Sequence, residues 1–201
     1  MHELLARAAV TRQKILESSR IEFKRNGIEG GSLAGVMSAQ GLTIGGFYKY
    51  FDSKAHLVSE SVALAADQLV VHLARAASEA SPQSSYEAIV TTYLAESHRD
   101  GEAGCPFAGL GSELARSDEH TRHRAALGFE QVIALLSSHL EGQSSAQVRG
   151  HSMLAFCAML GALTVSRIAH GEPLASEVLA EVGDHLVKAG LTTRSRARQA
   201  E

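Results

Sequence analysis

The chain has 201 residues, of which 45% are hydrophobic, and it carries a net charge of −3. This length allows one ordinary domain or a small domain joined to a larger one, and the apolar content excludes a globally disordered chain. Two cysteines are too few for a disulfide framework. The N-terminus has no long apolar core of a signal peptide, and the apolar stretch 153–165 is too short for a membrane span. We therefore expect a cytoplasmic protein without a membrane partner.

Helix-forming residues dominate the whole chain. Alanine and leucine are abundant, only three prolines occur, and no run alternates β-branched residues, which predicts an all-α fold. Apolar periodicity, N-cap residues and glycine stops predict about nine helices. Their expected ranges are 11–26, 33–40, 44–50, 53–77, 84–98, 107–116, 119–140, 146–169 and 175–188. We predict a three-helix head over 1–52 and a larger helical domain over 53–201.

The head contains the pattern of a helix-turn-helix. Ser32 and Thr43 are placed to cap two short helices, and Gly41 between them can take the positive φ of a tight turn. Phe47 and Phe51 are four residues apart and are expected to face inward. Side chains available for phosphate oxygens are those of Tyr48, Lys49, Tyr50 and Lys54. Positions left for base edges and thymine methyls are Thr43, Ile44, Gly45 and Gly46. The alternative is a small three-helix packing unit whose aromatic residues are all core.

The charge distribution agrees with a nucleic-acid partner at one end. Residues 1–56 hold 8 basic against 5 acidic residues, whereas residues 57–201 hold 11 against 17. A basic head on an acidic body is expected when only the head meets phosphates. An asymmetry of this size also arises by chance, so the charge supports the motif and does not replace it.

Further motifs occur at fixed spacing between residues 11 and 58. They are Thr11-Arg-x-x-Ile-Leu, Phe23, Gly27, Ser32-Leu33, Gly41-Leu-Thr-x-Gly-x-Phe-Tyr48 and Phe51-x-Ser-Lys54. Together they resemble the N-terminal signature of the TetR/AcrR family of transcriptional regulators, without a gap. The rest of the chain is similar to the family only in helix number and length. Glu22, Gly35 and the pair Ser18-Ser19 depart from the usual pattern, which affects the expected stability of the head more than its function.

The resemblance implies an all-helical homodimer that binds a palindromic double-stranded DNA operator. It also implies that a small molecule of unknown identity, bound in a C-terminal ligand-binding and dimerisation domain, releases the DNA. The DNA-facing positions implied are Ser32, Thr43, Ile44, Gly45, Gly46, Tyr48, Lys49, Tyr50 and Lys54.

The last two long helices carry apolar stripes that would form a four-helix bundle with their symmetry mates. The dimer assignment rests mainly on the resemblance, and the alternative is that both stripes are internal core. The stripe residues are Ala155, Ala158, Ala162, Val165, Ala169, Ala175, Val178, Leu179, Val182 and Leu186.

Candidates for a ligand pocket are apolar residues in the middle of body helices, which are more often core than ligand wall. They are Tyr93, Cys105, Phe107, Leu110, Phe129, Ile133, Met153, Phe156, Cys157 and Leu160.

Cys105 precedes Pro106 at an expected helix start, where the helix dipole would lower the pKa of a thiol. We therefore hypothesise that Cys105 senses electrophiles or oxidants, whereas Cys157 is interpreted as a small buried hydrophobic residue. His120 and His123 lack a further ligand at metal-site spacing and are interpreted as exposed helix surface. No metal or cofactor is expected.

Two other classes of protein compete with a regulator. An enzyme is disfavoured because the sequence has no Gly-rich phosphate loop, Gly-x-Ser-x-Gly elbow or His-Glu-x-x-His motif. An architectural DNA-binding protein would need no acidic, apolar-rich body. We expect a ligand-responsive DNA-binding regulator that acts as a repressor. The alternative is an architectural or activating DNA-binding protein without a small-molecule inducer.

Overall fold

The computed structural model describes residues 2–101, 104–140 and 144–198. Within these ranges all regular structure is helical, which confirms the predicted all-α fold. The elements are α1 (His2–Gly30), α2 (Leu33–Ser38), the 3₁₀ helix η1 (Ile44–Lys49), α3 (Lys54–Glu79), α4 (Ser85–Tyr93), α5 (Glu96–Asp100), α6 (Pro106–Arg116), α7 (Glu119–Ser138), α8 (Ser145–Ile168) and α9 (Leu174–Arg198).

Two compact units divide the chain. The first unit comprises residues 1–66 and 109–128, and the second comprises 67–108 and 129–201. The first unit is thus larger than the predicted head 1–52, because it includes the start of α3 and a later segment from α6 and α7. Local sequence signals mark the caps of α3 but cannot show that residues 109–128 return to the same unit.

The core of the first unit is built on the face of α1 that the periodicity predicts. Ile15 and Phe23 are buried there, and α2 packs on α1 and on η1. Phe47 and Phe51 are 0% and 1% exposed, with their rings stacked at a centroid distance of 5.7 Å. Both phenylalanines therefore face inward as expected, and η1 is fixed to the core through them.

In the second unit α9 packs along α8 and also contacts α4, while α5 contacts α8. The inner face of α8 carries small and hydroxyl side chains, since Ser152, Ala155, Ala162 and Ser166 are buried. Ser166 Oγ donates to the carbonyl of Ala175 at 2.6 Å. The larger apolar residues Phe156, Met159 and Leu163 fill the rest of this core.

Several helix boundaries differ from prediction, and α1 in particular begins at His2 and ends at Gly30 where a helix over 11–26 was expected. The helix expected over 84–98 ends at Tyr93, and α5 follows after the extended residue Ala95. The part of the chain that the structure describes therefore has ten helical elements where nine were predicted. Because α4 ends at Tyr93, the carbonyl of this residue has no backbone donor within the helix. His98 Nδ1 lies 2.6 Å from that carbonyl oxygen. At the other end α9 extends to Arg198, ten residues beyond the predicted end at Lys188, because Gly190 does not break it. Residues 199–201 lie outside the described residues.

Two helices, α3 and α8, are long and apolar enough to cross a membrane by length and composition. The core helix of a soluble protein meets the same criteria, and half of the most apolar window of α3 is buried within the chain. Much of the apolar character of α8 lies on an outward face that is described below.

Candidate nucleic-acid interface

The turn between α2 and η1 has the geometry that its glycine predicts. Gly41 has a φ of +66°, in the left-handed region that other residues rarely adopt. The amide of Leu42 donates to the Met37 carbonyl at 3.0 Å, which closes the end of α2. Helix α2 ends at Ser38, two residues before the predicted end, and the turn occupies the residues between.

Ser32 is the N-cap of α2, as predicted, and its Oγ accepts a hydrogen bond from the Gly35 amide at 3.1 Å. Its own amide donates to Glu22 Oε1 at 2.9 Å. Glu22, which departs from the family pattern, therefore satisfies a backbone donor at the start of α2. The unexpected acidic residue has a structural role that compensates for its polarity.

The segment predicted as an α-helix over 44–50 is a 3₁₀ helix over Ile44–Lys49. Its hydrogen bonds join residues three apart, from the Gly46 amide to the Thr43 carbonyl and from the Tyr50 amide to the Phe47 carbonyl, each at 2.9 Å. Six residues that include two glycines are too short and too poor in helix formers to sustain an α-helix. Thr43 is the N-cap residue, although its side chain makes no capping hydrogen bond.

One side of η1 faces outward. Tyr48 is 70% exposed and Ile44 is 48% exposed, and Thr43, Gly45 and Lys49 are exposed as well. A Cβ built on Gly45 would have no atom within 4 Å, so this glycine leaves open space at the surface. Tyr48 contacts the Phe47 ring edge-on at 5.2 Å, which orients its ring without burying it. Gly46 and Tyr50 are half-buried.

Lys54 differs from the other predicted phosphate-binding residues. Its side chain is half-buried, and Nζ donates to the carbonyl of Glu29 at 3.1 Å. This bond ties the start of α3 to the end of α1. The ammonium group therefore already has a partner within the head.

Arg12 of α1 holds the end of η1 in place. Its guanidinium carbon lies 4.6 Å from the centroid of the Phe51 ring and the same group pairs with Glu60 of α3. His56 Nε2 lies 2.9 Å from the other carboxylate oxygen of Glu60. Burial raises the pKa of the Glu60 carboxyl, but the hydrogen bonds from Arg12 and His56 outweigh burial and the net pKa is lowered. The carboxylate thus stays charged and links α1 to α3 beside Phe51.

Sequence reasoning missed Glu113, which anchors the end of α1. Gly27 there has a φ of +75°, and Glu113 Oε1 accepts hydrogen bonds from the amides of Ile28 at 2.8 Å and Glu29 at 3.1 Å. A Cβ on Gly27 would lie 2.9 Å from the same carboxylate. The glycine stop was visible in the sequence, whereas a partner 85 residues away was not.

The predicted pocket residues separate into an inner and an outer set. Tyr93, Phe107, Phe129 and Phe156 of the second unit form a connected aromatic group, with ring centroids 4.6 to 6.5 Å apart. Buried residues among the candidates also include Cys105, Leu110 and Ile133, of which Leu110 belongs to the first unit. Leu160 is half-buried, and Met153 and Cys157 are exposed.

The structure contradicts both cysteine interpretations. Cys105 is fully buried and its Sγ lies 3.1 Å from the Tyr93 hydroxyl. Burial raises the pKa of the Cys105 thiol more than its hydrogen bonds with Tyr93 and with the amides of Ala108 and Phe107 lower it. The expected low pKa at the helix start is therefore wrong, since desolvation outweighs the dipole. Cys157 is exposed and not a buried hydrophobic residue.

Two arginines of the second unit were also missed, the buried Arg99 and the half-buried Arg167. Arg99 pairs with both carboxylate oxygens of Asp100 and donates to Ser166 Oγ at 3.1 Å. Arg167 donates to the carbonyls of Arg99 at 2.9 Å and Cys105 at 3.3 Å. They join the α5–α6 segment to α8. No periodic pattern distinguishes them from surface arginines.

The predicted dimer stripe on α8 is divided between the core and the surface. Ala155 and Ala162 are 1% and 3% exposed and belong to the core of the protomer. Leu179 of α9 is buried as well. Residues of the stripes that are exposed or half-buried are Ala158, Val165, Ala169, Val178, Val182 and Leu186.

A neighbouring surface of α8, which shares only Val165 with the predicted stripe, is apolar and exposed in the protomer. Leu154 is 65% and Ile168 is 82% exposed, with the exposed Gly161 midway between them and Val165 and Cys157 beside them. A spacing of seven residues places Leu154, Gly161 and Ile168 on one line of the helix, as in a coiled-coil seam. We call this surface, Leu154, Cys157, Gly161, Val165 and Ile168, the α8 seam.

The comparisons with known proteins agree with this geometry. Residues 15–60 match the family model described as "Bacterial regulatory proteins, tetR family", which confirms the inferred family resemblance for the head. No curated protein sequence matches the chain.

Solved structures similar in fold cover nearly the whole chain. A TetR transcriptional regulator from Chloroflexus aurantiacus J-10-FL is 20% identical, with a TM-score of 0.75 over 91% of this chain and 95% of that one. A TetR-family regulator from Agrobacterium tumefaciens is 17% identical, with a TM-score of 0.74 over 90% and 98%. E. coli NemR in its reduced form is 21% identical, with a TM-score of 0.73 over 86% and 94%. At these identities the likeness establishes the fold.

Proposed function

We propose that this chain, a TetR-family helix-turn-helix DNA-binding protein by its residues 15–60 and its fold, is a cytoplasmic repressor that a small molecule releases from a palindromic operator. The observation that carries the proposal is the outward face of η1. Tyr48, Ile44 and Gly45 project from a segment whose other side is locked into the core by Phe47 and Phe51.

The exposed residues suit two kinds of DNA contact. Lys49 and the Tyr48 hydroxyl offer donors for phosphate oxygens, and Ile44 and Thr43 offer methyl groups for thymine. Gly45, which no neighbouring atom crowds, allows the backbone to approach the duplex. Lys54 contributes by holding the head together and by its charge, since its ammonium group is bonded to the Glu29 carbonyl.

Dimerisation is proposed through the α8 seam, in place of the inward residues Ala155 and Ala162. A row of large apolar side chains exposed on one helix face is the surface that a second copy would cover. Val178 and Val182 of α9 are half-buried and extend the proposed interface. A two-fold dimer presents two heads to two half-sites, which requires a palindromic operator.

The ligand is proposed to act in the second unit at the aromatic group around Tyr93 and Phe156. Its polar pair, Tyr93 and Cys105, lies among apolar rings as is typical of small-molecule sites. An activating or architectural DNA-binding protein without an inducer remains the second candidate, because the same head serves either role.

A gel-shift assay with DNA from upstream of the protein's own gene tests the proposal. We expect discrete binding to a palindromic fragment and release by a subset of small molecules. Lys49→Ala should weaken binding at all sequences and reduce the slope of log K against log salt by about 1, because one phosphate contact is lost. Arg75→Ala, which removes an exposed charge from the second unit, is the control. Equal salt slopes for the two variants would exclude a phosphate contact by Lys49.

Ile168→Glu tests the dimer. A carboxylate on the α8 seam should convert a dimer to a monomer in sedimentation experiments, since the charge would be buried against its symmetry mate. Val71→Glu is matched, because Val71 is an apolar residue of α3 that is 68% exposed. If Ile168→Glu stayed dimeric, the α8 seam would not be the interface.

A further inference from the structure

A surface groove of about 430 Å³ runs between α4 and α9 in the second unit. This volume is within the range of small-molecule sites in proteins. Leu94, Leu179 and Val187 provide an apolar floor. Gly183 leaves room in the groove because it has no side chain, and a Cβ at this position would lie 3.4 Å from Leu94 Cδ1. The groove shares no lining residue with the aromatic group.

The rim of the groove is acidic. Glu87, Glu96 and Asp184 contribute three carboxylates against the one ammonium group of Lys188, which lies 3.6 Å from Asp184. Glu96 is 3.9 Å from Arg99, but that guanidinium makes its short bonds to Asp100. The rim thus presents excess negative charge beside an apolar floor. This combination disfavours anions and complements a cation that carries an apolar body.

We propose that the α4–α9 groove binds small amphiphilic organic cations. The apolar body lies on the floor formed by Leu94, Leu179 and Val187, and the ammonium group lies between Glu87, Glu96 and Asp184. This site rests on the geometry of the second unit and not on the proposed DNA-binding function, so either can fail alone.

Isothermal titration calorimetry of the full chain with octyltrimethylammonium tests the site, with octanesulfonate as the charge-reversed probe. We expect the cation to bind at millimolar concentration or below and the sulfonate to bind more weakly. The double variant Glu87→Gln/Glu96→Gln should weaken cation binding about two- to tenfold, as expected for two exposed ion pairs. Glu79→Gln, outside the groove, is the control for loss of a carboxylate.

A second variant tests the floor independently of charge. Ala180→Phe places a ring in the groove from an exposed position, so the fold should be kept while the cation is excluded. Binding of octanesulfonate as tight as that of the cation would overturn the proposal. Absence of cation binding, or unchanged binding by both groove variants, would do so as well.

Discussion

Two glycines in the head allow stability and DNA binding to be perturbed separately. Gly41 has a φ of +66°, and a Cβ there would meet no atom within 4 Å. The cost of Gly41→Ala is therefore that of the left-handed backbone alone, about 1–2 kcal/mol. For a chain of this length that corresponds to a fall in Tm of about 2–8 °C. Gly41→Asn should recover part of the loss, because asparagine tolerates this conformation.

Gly45→Ala is the matched substitution. Gly45 is not among the glycines with positive φ, and a Cβ would again have open space around it. We expect unfolding to be unchanged or slightly more difficult, since alanine is the better helix former by up to about 1 kcal/mol. Binding to the operator fragment should nevertheless weaken, because the added methyl group would stand where the backbone approaches the duplex.

Thermal unfolding followed by circular dichroism and DNA binding followed by fluorescence anisotropy measure the two effects. We expect Gly41→Ala to lower Tm and Gly45→Ala to lower DNA affinity without lowering Tm. Full DNA affinity in Gly45→Ala would refute the proposed approach of η1 to the duplex. An unchanged Tm in Gly41→Ala would refute the strain argument.

Two further predictions concern titratable groups. Asp118 caps α7 by accepting the Thr121 amide at 2.9 Å, and this hydrogen bond lowers the pKa of its carboxyl. Its stabilisation is therefore complete above the unfolded pKa and is lost as pH falls through the folded one, below about pH 4. Asp118→Ala should cost about 0.5–2 kcal/mol in urea unfolding at pH 7 and less at pH 3, and an equal cost at both would contradict the assignment. Because the pKa of the buried Cys105 thiol is raised, iodoacetamide should modify it slowly at pH 7.5 in a Cys157→Ser background and rapidly after unfolding in urea; rapid modification of the native protein would restore the sensor hypothesis.

The head could be predicted from sequence because its signals are local. Ser32 caps the residue three positions on, Gly41 has the φ that a tight turn needs, and Phe47 and Phe51 follow helical spacing. The type of the helix over 44–49 was not predicted. An α-helix was expected there, but the segment with Gly45 and Gly46 forms a 3₁₀ helix.

The body was harder to predict because its decisive contacts are distant in sequence. Periodicity predicts a small-residue stripe on α8 but not which of its residues face the protomer core. Ala155 and Ala162 of that stripe are buried and Val165 is exposed, whereas Leu154 and Ile168, which lie outside the stripe, are the more exposed apolar residues. The pKa of Cys105 similarly depends on burial beneath Tyr93, which no local pattern encodes.

If a second copy covers the α8 seam as proposed, the stability of the fold depends on the protein concentration. A protomer at high dilution leaves Leu154 and Ile168 in water, whereas association removes them from it and favours the native state by mass action. The melting temperature should then rise with protein concentration. Substitutions that weaken the association would then lower the amount of folded dimer, even where they lie far from the DNA-binding residues.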